Sequence, residues 1–230
     1  MSFIGDPGDW DTFFEKSLVP AILAHVLATW DRLERPVQDE RESNISRCLY
    51  SALVNAKDRS QHPFRISYED VEVDTDLAKV TGRKDIVFHP STEETIYFCL
   101  ECKRLNVESA GKLKSLADEY VKNGMQRFVT GQYAQAVRHG GMLGYVLDGD
   151  VQRAMSNVEN CIRLHSEALG INDKDAPGCL QRSSICPDDP AVRETSHQRR
   201  HESMPFRIHH LFLASPVVQR AGSIDGDSTT

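Results

Sequence analysis

The chain has 230 residues, of which 40% are hydrophobic and 27% charged, and its formal net charge is −7 at neutral pH. This composition favours one domain with a substantial core and argues against a wholly disordered chain. No apolar run reaches the roughly 18 residues needed to cross a bilayer, which excludes a membrane-spanning class. Because the net charge is negative, binding of nucleic acid would require a local basic surface.

The N-terminal part predicts two helices. Apolar residues at helical spacing extend from Trp10 to Leu33, and Pro20 should kink or divide this helix. We assign residues 1–36 to an N-terminal helical segment. The second helix is expected from Asp39 to Lys57, with an apolar stripe that contains Ile45 and Leu49. Glu42 lies on the same stripe, so its carboxylate should point toward the protein body, where an unpaired charge is costly.

The rest of the chain predicts alternating strands and helices within one domain, residues 37–214. Strands are expected at Phe64–Val73, Asp85–Phe88, Thr95–Lys103, Met142–Leu147 and Phe206–Leu213. Helices are expected at Glu108–Phe128, Tyr133–Val137 and Val151–Leu169. Residues 171–205 are interpreted as a long loop and residues 215–230 as a disordered tail. Three consecutive strands followed by strand–helix crossovers predict an α/β fold, with a mixed central β-sheet flanked by helices.

The third predicted strand contains the charged residues that are candidates for a functional site. Side chains alternate between faces along a strand, so Tyr97, Cys99, Glu101 and Lys103 share one face. A carboxylate and an ammonium therefore emerge together at the end of this strand. Asp85, on the preceding strand, can approach Glu101 if the two strands pair. Two adjacent carboxylates repel each other unless a cation lies between them, and hard oxygen ligands favour Mg²⁺ or Mn²⁺.

Asp85, a gap of fifteen residues and then Glu101-Cys102-Lys103 together resemble the active-site signature of the PD-(D/E)XK nuclease superfamily. The predicted order of elements from Asp39 to Leu147 is also similar to its restriction-endonuclease-like core, which has a helix, a three-strand meander, a helix and a further strand. Lys84 stands where the superfamily name has a proline, and that position is variable in the superfamily.

The resemblance implies a role for each residue of the signature. Asp85 and Glu101 would bind a divalent cation, Mg²⁺ or Mn²⁺, with help from the backbone carbonyl of Cys102. Lys103 would orient or activate the attacking water and offset phosphate charge, which makes Asp85, Glu101 and Lys103 the catalytic residues. Glu42 matches an additional metal-binding glutamate that many members carry on the first core helix.

The implied activity is that of a Mg²⁺-dependent endonuclease that hydrolyses phosphodiester bonds, with DNA favoured over RNA as the substrate. A cytoplasmic effector in restriction or anti-phage defence, acting with a protein partner or as a homo-oligomer, would suit a chain without a motor motif. Four basic residues are candidates for substrate contacts: Lys112, Lys122, Arg127 and Arg199.

Two alternatives remain open. The first is a non-catalytic binding or assembly subunit on the same fold, in which Glu101 and Lys103 would form a salt bridge on a solvated sheet face. The second is a zinc-stabilised module built from Cys179, Cys186, His197 and His201, although six residues between the cysteines exceed the usual spacing. The chain begins with acidic residues rather than a secretion signal, so we expect its six cysteines to be reduced thiols.

Overall fold

A seven-stranded mixed β-sheet flanked by helices organises the chain. It is seen in a computed structural model that describes residues 13–34, 36–58, 62–74, 79–90, 95–172, 178–200 and 202–215. The start of the predicted first helix, nearly all of the predicted tail and His201 lie outside the described residues. None of the helices in the described ranges combines the length and apolar character needed to cross a membrane.

The described residues form four helical segments. Helix α1 begins as a π-helical turn, Phe14–Leu18, and continues as the α-helix Val19–Trp30. Pro20 lies in the first turn of that α-helix, where its missing N–H costs least. Helix α2 spans Glu42–Asn55. Helix α3 is continuous but contains a π-helical turn; its parts are Ala117–Tyr120, Val121–Met125 and Gln126–Val129. Helix α4 spans Val151–Leu164.

Nine strands lie in the described ranges, and seven of them form the central sheet, in the order β1-β2-β3-β6-β9-β8-β7. The strands are β1 Arg65–Asp74, β2 Lys79–His89, β3 Phe98–Leu105, β4 Val107–Ser109, β5 Lys112–Lys114, β6 His139–Val146, β7 Gln181–Arg182, β8 Val192–His197 and β9 Phe206–Ala214. The central strands β3, β6 and β9 are parallel to one another, while the pairs on either side are antiparallel. The mixed sheet predicted from the order of elements is therefore present.

Strand β6 shows that helices cover both faces of the sheet. Tyr145 stacks against Trp30 of α1, with 5.5 Å between ring centroids, and its hydroxyl lies 3.1 Å from Ser46 Oγ of α2. The neighbouring residue Gly144 faces the opposite side of the sheet. A Cβ built at this position would lie 3.3 Å from the ring of Tyr120 in α3. Because adjacent strand residues face opposite sides, α1 and α2 pack on one face and α3 on the other.

Three predicted elements differ from the structure. The helix expected from Glu108 begins at Ala117, because residues 107–114 form the β4–β5 hairpin, whose turn holds Ala110 and Gly111 at positive φ. The predicted helix Tyr133–Val137 is absent, and Ala134 has a φ of 56°. The segment interpreted as a loop contains β7 and β8, with β8 paired along its length to β9.

Candidate active site

The candidate site lies where β2 and β3 separate. The paired residues of these strands run from Phe88–Phe98 to Ile86–Leu100 and end there. One residue further along, Oδ2 of Asp85 accepts the backbone N–H of Cys102 at 2.7 Å, so a side chain takes the place of a ladder hydrogen bond. Strand β3 continues on its other side, paired with β6 as far as Leu105. This opening gives Asp85, Glu101 and Lys103 a common space at the C-terminal half of a central strand.

The Lys103 ammonium joins three acceptors in this space. Its Nζ lies 2.7 Å from Oε1 of Glu101, 3.3 Å from Oε1 of Glu42 and 2.8 Å from the carbonyl oxygen of Cys102. Burial alone would lower the pKa of Lys103, but the carboxylates of Glu101, Glu42 and Asp85 outweigh burial and raise it. Lys103 is therefore a fixed positive charge surrounded by acids.

Glu101 is the most deeply buried acid of the cluster, with 1% of its surface exposed. Its Oε1 accepts from Lys103 and, at 2.8 Å, from the Arg127 guanidinium. Its Oε2 is buried and has no hydrogen-bond partner among the described residues. Burial, followed by repulsion from Asp85, raises the pKa of Glu101 to about 7 although both cations oppose the shift. Burial is also the main cause that raises the pKa of Asp85.

Glu42 enters the cluster from the N-terminal end of α2, as its place on the apolar stripe of that helix predicts. Its Oε1 accepts from Lys103, and its Oε2 accepts the backbone N–H of Arg104 at 3.0 Å. The side chain remains 35% exposed. Glu42 therefore ties α2 to β3 and forms the solvent-facing edge of the cluster.

Arg127 and Tyr133 complete the cluster on the α3 side. The Arg127 guanidinium donates to the Tyr133 hydroxyl at 2.9 Å as well as to Glu101, and that hydroxyl donates to the carbonyl of Arg83 at 2.6 Å. No functional role was predicted for Tyr133. The only indication in its sequence context is that it is an aromatic residue with a polar hydroxyl, just beyond a predicted helix. Gly124 lets α3 approach, because a Cβ there would collide with the end of the Met142 side chain and lie 3.7 Å from Cγ of Glu101.

The four residues expected to contact substrate have different surroundings. Lys112 is exposed on β5 rather than on a helix. Lys122 is exposed on α3 and pairs with Asp118 at 3.0 Å. Arg127 belongs to the acidic cluster itself.

The substrate contact predicted for Arg199 is wrong, because this residue is buried and its guanidinium is already hydrogen-bonded. It donates to the carbonyls of Phe128, Tyr133 and Ala134 at 2.8–3.0 Å. It also stacks on Phe206 at 3.6 Å. These contacts give it a structural role that joins the segment after β8 to the end of α3, and they leave it unavailable to a substrate.

The proposed zinc ligands in the segment after α4 do not assemble among the described residues. Both ring nitrogens of His197 are engaged, Nδ1 with the carbonyl of Leu169 at 2.8 Å and Nε2 with the Thr195 hydroxyl at 2.6 Å. Cys179 is buried and Cys186 partly buried, both as free thiols. His201 lies outside the described residues. The histidine is thus explained by a buried hydrogen-bond chain rather than by metal binding.

Comparison of the chain with models of protein families, with curated proteins and with solved structures found no match.

Proposed function

We propose that this protein is a divalent-metal-dependent nuclease with a restriction-endonuclease-like core, and that DNA is its substrate. The observation that carries the proposal is the buried Oε2 of Glu101, which has no hydrogen-bond partner in the described part of the chain. It lies within a cluster of three acids, Glu42, Asp85 and Glu101. A carboxylate oxygen that is buried away from water lowers the stability of the fold unless a cation or a hydrogen-bond donor contacts it. Apart from the β4–β5 hairpin inserted after β3, the order α2, β1, β2, β3, α3, β6 is similar to the core of that superfamily. This order, with β3 parallel to β6, supports the same conclusion.

The chemistry of the cluster fits a hard divalent cation. Three carboxylates face two cationic side chains, Lys103 and Arg127, so the cluster retains negative charge when all groups are ionised. Carboxylate and carbonyl oxygens are the ligands that Mg²⁺ and Mn²⁺ prefer. Asp85, Glu101 and the carbonyl of Cys102 would hold the ion, with Glu42 at the open edge. A divalent metal in such a site polarises a phosphoryl oxygen and lowers the pKa of a bound water.

The side chains of this protein have separate tasks in the proposed reaction. Lys103 is held charged by its acidic neighbours, so it can orient a water molecule beside Glu101 and stabilise negative charge on the phosphate. Arg127 neutralises part of the charge on Glu101 and fixes the rotamer of that side chain. Asp85 is oriented by the Cys102 amide, which keeps one of its oxygens directed at the backbone of β3.

The alternative is a non-catalytic subunit in which the same residues are a structural ion-pair network. The short contacts of Lys103 and Arg127 with Oε1 of Glu101 favour it, because they already satisfy that oxygen. They do not account for Oε2, which none of the described residues partners, at a cost in stability if the role is purely structural.

Cleavage assays distinguish the two functions. Supercoiled, linear and single-stranded DNA and a structured RNA are incubated with the protein in Mg²⁺, Mn²⁺ or EDTA. Glu101→Gln, Asp85→Asn and Lys103→Ala should each abolish metal-dependent cleavage, while Glu108→Gln, which alters an exposed glutamate on β4, should retain it. Full cleavage in Glu101→Gln and Lys103→Ala, or no cleavage of any substrate by the wild type, would reject the proposal.

A further inference from the structure

A second cluster of potential metal ligands lies between α3 and α4. Asp118 is in the first turn of α3, Cys161 is near the end of α4, and His165 follows α4 directly. One ligand atom from each residue lies within 4.8 Å of the other two. None of these residues takes part in the cluster around Glu101, so a metal bound here would be independent of the proposed nuclease activity.

The distances fit a tetrahedral zinc ion. Zinc binds cysteine sulfur at about 2.3 Å and histidine nitrogen or carboxylate oxygen at about 2.0 Å. At tetrahedral angles these bonds separate sulfur from oxygen by about 3.5 Å and nitrogen from oxygen by about 3.3 Å. In the structure, Sγ of Cys161 is 3.7 Å and Nε2 of His165 is 3.4 Å from the same oxygen, Oδ1 of Asp118. These two distances therefore lie within a few tenths of an ångström of the tetrahedral values, and the ligand atoms of Cys161 and His165 lie within 4.8 Å of each other.

The donors are also positioned by regular structure. Cys161 and His165 are four residues apart, so they lie on the same face at the end of α4. Asp118 approaches from α3, which packs against α4. A thiolate and an imidazole select zinc over Mg²⁺ or Ca²⁺, since those ions prefer oxygen ligands only. Three protein ligands leave a fourth position for water, as in open zinc sites.

Lys122 is the present cationic partner of this cluster. Its ammonium lies 3.0 Å from Oδ1 of Asp118, one helical turn away, and its side chain is 45% exposed. A metal ion at the same oxygen would be repelled by this ammonium, but the long side chain can extend into solvent at little cost. Lys122 should therefore weaken metal binding without preventing it.

We propose that Asp118, Cys161 and His165 form a zinc-binding site that links α3 to α4. Bound zinc would hold α3 in place, and α3 also carries Arg127. The site is distinct from the zinc module considered at Cys179–His201, with which it shares no residue.

Cobalt substitution tests the site directly. The full-length protein, stripped with a chelator, is titrated with Co²⁺ and followed by the thiolate-to-cobalt charge-transfer band and the visible bands of tetrahedral Co²⁺. We expect one thiolate-bound Co²⁺ per chain, displaced by Zn²⁺, and a melting temperature that Zn²⁺ raises. Cys161→Ser should abolish the charge-transfer band, while Cys48→Ser, which alters an exposed cysteine on α2, should leave it unchanged.

Variants at the other ligands keep the test independent of how Cys161→Ser folds. His165→Gln and Asp118→Asn should each weaken Co²⁺ binding at least about tenfold with a melting temperature near wild type in the absence of metal. Lys122→Gln should tighten it, since a competing charge is removed. Absence of a thiolate–cobalt band in the wild type, a band that persists in Cys161→Ser, or weaker binding in Lys122→Gln would overturn the proposal.

Discussion

Replacing Glu101 with glutamine should increase the free energy of unfolding above about pH 7. The side chain is 1% exposed, and its pKa rises from the usual 4.5 to about 7 because burial and Asp85 disfavour the charge. This difference corresponds to about 3 kcal/mol, since a tenfold change in proton affinity is about 1.4 kcal/mol. The figure already contains the attraction of Lys103 and Arg127, so it is the net cost of the ionised carboxylate in the folded state.

The sign of the pH dependence follows from where protons are bound. Between about pH 4.5 and 7 the folded state binds a proton at Glu101 that the unfolded state has lost, so the wild type gains stability from this residue as the pH falls. The excess stability of Glu101→Gln should therefore be about 3 kcal/mol at pH 8 and below about 1 kcal/mol at pH 5. Taking the difference between variant and wild type removes the contributions of titrating groups that do not interact with Glu101.

The assay is urea unfolding at both pH values, in EDTA so that no divalent ion binds. Wild type, Glu101→Gln and the exposed control Glu108→Gln are compared, and the control should show no pH-dependent difference. Lower stability of Glu101→Gln than of the wild type at pH 8 would contradict this expectation, because it would mean that the ion pairs with Lys103 and Arg127 outweigh burial.

Three further variants test other parts of the structure. Arg199→Ala should lower the free energy of unfolding by about 3 kcal/mol, because it leaves buried carbonyls without donors; unchanged melting with weaker nucleic-acid binding would instead restore its predicted substrate role. As the pH falls from 6.5 to 4.5, His197→Gln should lose about 2–3 kcal/mol less stability than the wild type. Burial lowers the pKa of His197 to about 4, so the unfolded chain binds the proton first. Parallel pH profiles of the two proteins in thermal melts would contradict this. Gly124→Leu should lower the melting temperature and any cleavage activity together, since the added side chain meets Met142 and displaces α3 from Glu101; wild-type values for both would show that α3 tolerates the displacement.

Three residues of the candidate site, Glu42, Glu101 and Lys103, were predicted from local patterns. The alternation of side chains along β3 placed Glu101 and Lys103 on one face, and the helical phase of Glu42 directed it inward; in the structure both carboxylates contact the Lys103 ammonium. These patterns were sufficient because each depends on one regular element whose period is fixed by backbone geometry.

The features that were missed depend on tertiary context. Leu113 supplied part of an apparent helical stripe, yet it is 45% exposed on the β4–β5 hairpin, where the backbone turns at Ala110 and Gly111. Strand β8 is polar, and its pairing with β9 determines its conformation more than its own pattern does. Arg199 carries a charge that usually lies at the surface, and only the carbonyls gathered around it make burial favourable.

The most direct test of the proposed active site is the binding of Mn²⁺, measured by titration in a Cys161→Ser background so that the second cluster does not contribute. Saturable binding is expected near neutral pH; it should be lost in Asp85→Asn and Glu101→Gln and retained in Glu108→Gln. Lys103→Ala should bind Mn²⁺ at least as tightly as wild type, because a positive charge leaves the cluster. Saturable binding that survives both carboxylate substitutions, or no saturable binding at all, would contradict the claim that these acids hold a divalent cation.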